Sequence, residues 1–550
     1  MRNCLSRLAA FPAPLAVVAV LAACSSDVPL PFVPTPEPTP EQPREVVVEA
    51  IEVPGGAPLA GVAVSSDGRT AVTDEAGSAT LTAMRGAEVA AEIVDHEPAS
   101  AEVPDEGILR VELVRTVARG TVRDPSGTPI AGAAVFVEGA EAAVRTDEAG
   151  AYVLTDVPEG ATLVVKRAGY RLAEASTAET LDVDVTLEPF EARALYAPAA
   201  VFEAPGRLDA LIALAERTEV NAFVIDVKET DGRLYFETDL AAALEAEAVR
   251  ETPVFDAAEV IDTLHEHGIY AIARMVVMKD NTLAAARPEL AVRNTATDGP
   301  WRDNIGGAWL DPSAPGVAEY VAAVAGAVAD AGFDEVQLDY IRWYSDGPYD
   351  LADTNLPNTQ SVRLPAIGRV LRLVADEMET RRAFVAADCF PISFIVADDQ
   401  GIGQRPEVIM PHVDYFSPMV YPSHYGPGVF GYPVPNEYPY EVIDRTLEIM
   451  NEQAAGLPLV IRPWIQDFGY GRFPPYTANQ VQAEMRAAAD NGAAGWMIWN
   501  ARAVFTESAL APPRDGEDYA VSVVDPTPPA SPTATESAAG SPSSLPSASP

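Results

Sequence analysis

From Glu191 to about Leu510 the chain alternates apolar runs of β type with segments of helical period, and this alternation constrains the fold more than any other feature. A β run followed by a helical segment, repeated many times, implies parallel strands joined by crossover helices. Eight such runs are present. They are "ARALYAPAAV" (from Ala192), "NAFVIDVKE" (Asn221), "IYAIARMVV" (Ile269), "DEVQLDYIRWY" (Asp334), "FVAADCFPI" (Phe384), "VDYFSPMVYP" (Val413), "PLVIRPWIQDF" (Pro458) and "GWMIWNA" (Gly495). The helical candidates between them include Arg207–Thr218, Ala257–His267, Gly316–Ala331, Arg363–Arg382, Tyr440–Gln453 and Ala478–Asn491. Eight β/α units in about 320 residues predict a (β/α)8 TIM barrel with enlarged loops. The competing open, doubly wound sheet would need a Gly-rich phosphate fingerprint, and none follows any strand.

A buried parallel strand is ordinarily apolar throughout, so charges near its C-terminal end need a reason, and in a barrel that end faces the active site. Period-2 alternation sorts the faces. In run two, Phe223, Ile225 and Val227 alternate with Asp226 and Lys228; in run four, Val336 and Leu338 alternate with Gln337 and Asp339. Run five sets Asp388 opposite in parity to Val385, Ala387 and Cys389. Run three offers Arg274, run six Tyr421 with His424 beyond it, run seven Trp464 and Gln466, and run eight, whose parity is ambiguous, Trp496, Trp499 and Asn500. Asp339 and Asp388 are the leading pair. They end neighbouring strands, which run about 4.8 Å apart, so their carboxyl groups fall within the roughly 5 to 9 Å at which two acids work on a glycosidic bond. The cations Lys228, Arg274 and Arg342 would hold one carboxylate charged, and burial would keep the other protonated. Salt bridges to those same cations are the purely structural alternative. All six tryptophans (301, 309, 343, 464, 496 and 499) lie in this region, some as core and some at strand ends where a sugar ring would stack. His265 and His267 fit a helix C-terminus better than a metal site, and no cofactor is implied. Cys389 reads as a small buried hydrophobe.

The rest of the chain is organised differently. Arg2 and Arg7 precede an apolar stretch, Leu8 to Ala23, and "LAAC" (Leu21–Cys24) resembles a bacterial lipoprotein signal, which implies lipidation at Cys24 and an extracytoplasmic, membrane-anchored protein. "SSDVPLPFVPTPEPTPEQP" is a stiff tether. Between Val46 and Glu188 short alternating runs are divided by Gly, Pro and Asp turns, the pattern of antiparallel sheet. An internal repeat is visible: "GGAPLAGVAV…VTDEAGSATLT" (Gly55–Thr82) returns as "SGTPIAGAAVFV…RTDEAGAYVLTDV" (Ser126–Val157). The copies resemble the carboxypeptidase regulatory-like, transthyretin-like β-sandwich family, which implies a spacer or, less favoured, a carbohydrate-binding role. The first copy lacks the second's Tyr and is degenerate at its end. The expected organisation is a leader (1–23), tether (24–44), degenerate β-sandwich module (45–114), second β-sandwich module (115–189), barrel (190–515) and unstructured Pro/Ser/Thr-rich tail (516–550). A net charge of −44 excludes a nucleic-acid surface.

The motifs "FVIDVKETDG", "WLDPSAPGVAEY", "GFDEVQLDYIRW", "VDYFSPMVYPSHYGPG", "RPWIQDF" and "GWMIWNA", in order between Ala194 and Phe505, resemble a family of glycosyl hydrolase-type domains related to the α-amylase-like barrel enzymes. By that resemblance Asp339 takes the nucleophile position and Asp388 the acid/base position, although Pro391 stands where the family's motif has Gly. Members are named by fold more than by activity, so no substrate carries over. The expectation is a cell-surface glycoside hydrolase acting on an extracellular or envelope polysaccharide. A glycan-binding protein without turnover, and a scaffold acting through its β modules, are the alternatives.

Overall fold

The computed structural model describes residues 42–471 and 473–513. The leader, Cys24, most of the tether and the tail from residue 514 lie outside the described residues.

The repeat is a repeat of topology. In the first copy Ser78–Ala83, Arg44–Val53 and Leu109–Val114 form one sheet, and Arg69–Val72, Ala63–Ser66, Glu88–Glu92 and Ala99–Glu102 form the other. In the second copy Ala151–Leu154, Ala118–Arg123 and Val185–Thr186 face Val144–Arg145, Ala134–Val137, Thr162–Lys166 and Ala173–Ser176 in the same order. Each pair of sheets encloses its own apolar core.

The shared "T-D-E-x-G" explains the likeness. Thr73 accepts from Val62 N at 2.9 Å and donates to Leu59 O at 2.6 Å; Thr146 does the same with Ala133 N at 2.9 Å and Ile130 O at 2.7 Å. Asp74 and Asp147 each accept two backbone N–H groups across the following turn. The turn closes on Gly77 or Gly150, both at positive φ, where a Cβ would strike the carbonyl of Ala50 or Val122. The first copy is therefore complete despite its missing tyrosine. In the second, Tyr152 lies over Gly120 and donates to Val183 O at 2.7 Å. In the first, Ala79 pairs with Val48, so bulk has moved to the partner strand.

The larger region is a curled, barrel-like parallel sheet of nine strand segments. In chain order these are Ala192–Ala197, Ala222–Lys228, Tyr270–Val276, Glu335–Asp339, Phe384–Cys389, Tyr415–Pro418, Val460–Ile461, Trp464–Gln466 and Gly495–Trp499. Val460–Ile461 pairs with the sixth and Trp464–Gln466 with the last, and Pro463, which has no N–H to give a ladder, stands between them. The connecting helices include Arg207–Glu216, Ala257–Glu266, Val317–Asp330, Gln360–Met378, Pro439–Ala454 and Ala478–Asp490. Odd and even strand positions separate as the period requires. Leu195, Phe223, Ile225, Leu338 and Trp496 pack outward against helices, whereas Ala194, Tyr196, Val224, Ile272, Ala386 and Met497 fill the inside. Low in that interior Arg462 and Glu335 form a fully buried ion pair, with the guanidinium 4.1 Å from the Tyr415 ring centroid.

The second β module seals the N-terminal end of this interior. Its Ala168, with Phe190 just beyond its last strand, joins the inner apolar cluster, and Gly169 N donates to Tyr415 Oη at 3.1 Å. Lys166, buried, donates to the carbonyls of Met378, Arg381 and Ala383 at 2.7, 2.9 and 2.9 Å. A lysine there meets the last carbonyl of the Gln360–Met378 helix, two carbonyls just beyond it and the negative end of the helix dipole.

Candidate active site

Seven of the nine segments of the curled sheet deliver a side chain toward its C-terminal end. Tyr196, Asp226, Arg274, Asp339 and Asp388 come from the first five strands, Trp464 and Trp499 from the last two, and Tyr421 from just beyond Pro418. They surround the base of a cavity of about 490 Å³. The register explains the carboxyl pair: Leu338 pairs with Ala387, so Asp339 and Asp388 come next on adjacent strands with the same facing.

Arg274 organises one side. Its Nε and Nη2 both donate to Asp339 Oδ2 at 3.0 and 2.6 Å, and Nη1 donates to Asp226 Oδ1 at 2.5 Å and Glu229 Oε1 at 2.6 Å. Three carboxylates raise its pKa well above the usual arginine value against the opposing effect of burial. The other Asp339 oxygen accepts from Tyr340 N at 2.6 Å. Tyr340 takes φ +54°, a left-handed conformation rare for a bulky residue, at the turn that directly follows the carboxylate. Asp226 also accepts from Tyr196 Oη at 2.5 Å, and burial pushes its pKa up to about 6 against the pull of Arg274. Glu229 is lowered: burial would raise it, but Arg274 outweighs that.

Asp388 sits in a different environment. It is buried, and its Oδ1 accepts a hydrogen bond from Trp464 Nε1 at 2.7 Å. Burial first, and the nearby charge of Asp339 second, raise its pKa well above the usual carboxylate range, while the indole bond opposes them. Adjacent carboxyls in contrasting surroundings are the arrangement that separates an acid from a base. The floor beside them is aromatic. Tyr196 stacks on Trp499 at 4.1 Å between ring centroids, and Trp464 meets Trp499 edge-on at 5.5 Å. His424, its pKa lowered by burial, packs on Tyr470 at 4.6 Å at the mouth.

Of the residues expected at the site, Asp339, Asp388, Arg274, Arg342, Tyr421, His424, Trp464 and Trp499 line the cavity. The remaining four do not. Asp226 stands one hydrogen bond behind the wall, through Arg274. Lys228 is a correction: the pairing with strand three slips between Asp226 and Lys228, and this bulge turns Lys228 out of the inward set. It is buried instead in an ion pair with Asp280 at 2.8 Å. Gln466 is also behind the wall, accepting from Ser423 N at 3.2 Å and donating to Phe468 O at 2.9 Å. Asn500, past the strand end, donates to Asp467 O and Val504 O and holds a loop. Trp301, Trp309 and Trp343 are core. Pro391 opens the short helix Ile392–Ile395, whose two ends also line the cavity.

Several contributors were not expected from the sequence, among them Tyr196, Glu229, Tyr340 and Phe390. Tyr196 sits at an ordinary apolar strand position, Glu229 lies one residue past its strand, and Phe390 follows Cys389 in a loop. Only Tyr196 had a signal, since it shares parity with the inward Ala192 and Ala194.

Residues 117–188 match the carboxypeptidase regulatory-like domain. Among solved structures, the chain is similar to a hypothetical protein from Ruminiclostridium thermocellum at 31% identity, covering 35% of this chain and 96% of that one, with a TM-score of 0.31. It is similar to the PgaB (BpsB) glycoside hydrolase domain from Bordetella bronchiseptica at 14% identity, covering 57% and 94%, with a TM-score of 0.42. It is also similar to the α-galactosidase TtGalA from Thermus thermophilus at 13% identity, covering 76% and 86%, with a TM-score of 0.37. No curated protein matches. Residues 194–505, which carry every side chain of the cavity, match the family described as a putative glycosyl hydrolase domain, and the chain belongs to that family.

Proposed function

We propose that the chain is a cell-surface glycoside hydrolase acting on an extracellular or envelope polysaccharide. The observation that carries the reading is the Asp339–Asp388 pair, adjacent in register at one cavity and held in opposite environments. Asp388, with its raised pKa, is the general acid that protonates the departing glycosidic oxygen. Asp339, receiving three N–H hydrogen bonds, is the carboxylate that attacks the anomeric carbon. Neighbouring positions on strands about 4.8 Å apart suit the short separation of a retaining, double-displacement enzyme, about 5–5.5 Å. Water then enters with Asp388 as base and releases the sugar. Trp499 and Tyr421 supply faces for the ring.

The scaffold in this reading is a closed (β/α)8 barrel. Its support is that the two outer segments of the sheet, Val460–Ile461 and Trp464–Gln466, are separated in the chain by only Arg462 and Pro463. The anchor is a lipid on Cys24, supported by the leader sequence. Metabolic labelling with palmitate, lost in Cys24→Ala, tests it.

The test of function is release of reducing ends from a panel of cell-envelope and extracellular polysaccharides. Asp339→Asn and Asp388→Asn should each reduce release by at least about a thousandfold with melting temperatures preserved, and the first product should keep the anomeric configuration of the substrate by NMR. Full turnover in Asp339→Asn would overturn the assignment. Tight binding with no release by the unmodified protein would replace it with a glycan-binding function.

A further inference from the structure

The buried cations of the barrel-like domain follow one pattern with one exception. Lys228 pairs with Asp280 at 2.8 Å, Lys279 with Asp303 at 2.7 Å, Arg462 with Glu335, and Arg274 with Asp226, Glu229 and Asp339. In each case the partner is itself largely buried. Arg342 differs. Its side chain is 7% exposed, yet the nearest carboxylate is Asp346 at 3.7 Å, whose own side chain is 74% exposed. Its one hydrogen bond among the described residues goes to Ser345 Oγ.

Aromatic faces hold the guanidinium in place. Its carbon lies 4.8 Å from the ring centroids of Trp309 and Tyr340 and 5.0 Å from that of Phe390. Ring faces favour a cation but accept no in-plane N–H bonds. None of the Arg342 nitrogens is among the buried polar atoms left without a partner, so its unused donors reach solvent, and Arg342 lines the cavity with Asp339 and Asp388. The other cation of that wall, Arg274, is already consumed by three carboxylates. A planar fork of donors, fixed by stacking and lacking a buried counter-ion, is built for a bidentate oxyanion supplied from outside. This is notable in a chain with 81 acidic against 37 basic residues, where an internal carboxylate is the default partner.

We infer that Arg342 is a specificity-determining residue that binds an oxyanion substituent of the sugar seated beside the catalytic pair, foremost the carboxylate of a uronic acid. The inference rests on the glycosidase reading of the same cavity and names its substrate class.

The experiment measures binding to the full chain by calorimetry, in the Asp339→Asn background so that nothing turns over. The probes are galacturonate and glucuronate oligosaccharides, their methyl esters as uncharged isosteres, and sulfated galactan oligosaccharides. The acidic form of at least one uronide should bind about 10- to 100-fold tighter than its ester, and Arg342→Met should abolish the difference by weakening the acid far more than the ester. Arg342→Lys, which keeps the charge and loses the fork, should restore only part of it. Preference for the sulfated probe with the same Arg342 dependence would support an oxyanion site fed by sulfate esters instead. Equal affinity for acid and ester, a preference that survives Arg342→Met, or no binding of any probe would overturn the inference. If Arg342 only braces its loop, Arg342→Met will lower the melting temperature and weaken charged and uncharged probes alike, which also overturns it. Failure of the hydrolase reading is separable: unmodified protein that binds uronides through Arg342 without ever cleaving them would leave this site standing, and cleavage of neutral glycans alone would leave only the hydrolase.

Discussion

Replacing Trp464 by Phe keeps a ring of similar shape against Trp499 and removes one atom that matters, the Nε1 that donates to Asp388 Oδ1 at 2.7 Å. A hydrogen bond to a charged acceptor is worth about 1.5–3 kcal/mol, and it favours the ionised carboxylate. At about 1.36 kcal/mol per pKa unit, losing it should raise the Asp388 pKa by about one to two beyond its already elevated position. The sign is fixed by the chemistry. A general acid works while protonated, so activity falls as pH rises through its pKa, and a higher pKa moves the alkaline limb of kcat/KM to higher pH. Carbon-13 NMR of the aspartate carboxyls, titrated with and without the substitution, reads the same quantity with no substrate present. An Asp388 midpoint that does not rise would refute the role of the indole bond, and an alkaline limb that does not track that midpoint would refute the assignment of Asp388 as the acid.

Two further expectations concern the scaffold. Lys166→Met removes three short hydrogen bonds from the base of the barrel-like domain, of which only the Met378 carbonyl keeps another donor, Arg381 N. Urea unfolding should show a loss of about 2–4 kcal/mol, and a loss under about 1 kcal/mol would mean that the module merely rests on the barrel end. Arg462→Met strands Glu335 without its cation in a fully buried site and should cost about 3–5 kcal/mol. Adding Glu335→Gln should return much of that stability in thermal denaturation. A double variant that loses more than the single one would count against the pair as the cause.

The alternation of apolar and polar residues made much of the site legible in advance. Asp226, Asp339 and Asp388 were placed on the inner face by parity alone, and all three face inward, where Arg274 meets Asp226 and Asp339. Parity is a local property, fixed by the two-residue period of an extended chain. Lys228 shows where this stops. It has the same parity as Asp226, but one slipped pairing with strand three turns it into the helix layer against Asp280, and slippage is decided by the neighbouring strand. Gln466 and Asn500 were read as substrate contacts because they stand at strand ends, yet their side chains meet backbone groups of loops that no local pattern locates. The missing tyrosine of the first β module suggested degeneracy. The compensating Val48 could be recognised only once the strands were paired.

The sequence by itself determined the repeating β/α order, the duplicated β module with its Thr-Asp-Gly turn, and the two aspartates, because each is written in periodicity or in residues whose partners lie a few positions away. Only the tertiary structure decided that Arg274 gathers three carboxylates, that Trp464 holds Asp388, that Arg342 is left with ring faces and no buried acid, and that Lys166 closes the floor from another module. Those arrangements depend on strand register and on contacts between segments tens to hundreds of residues apart, and the free energy that selects them exists only when the whole sheet has curled and its interior has lost water.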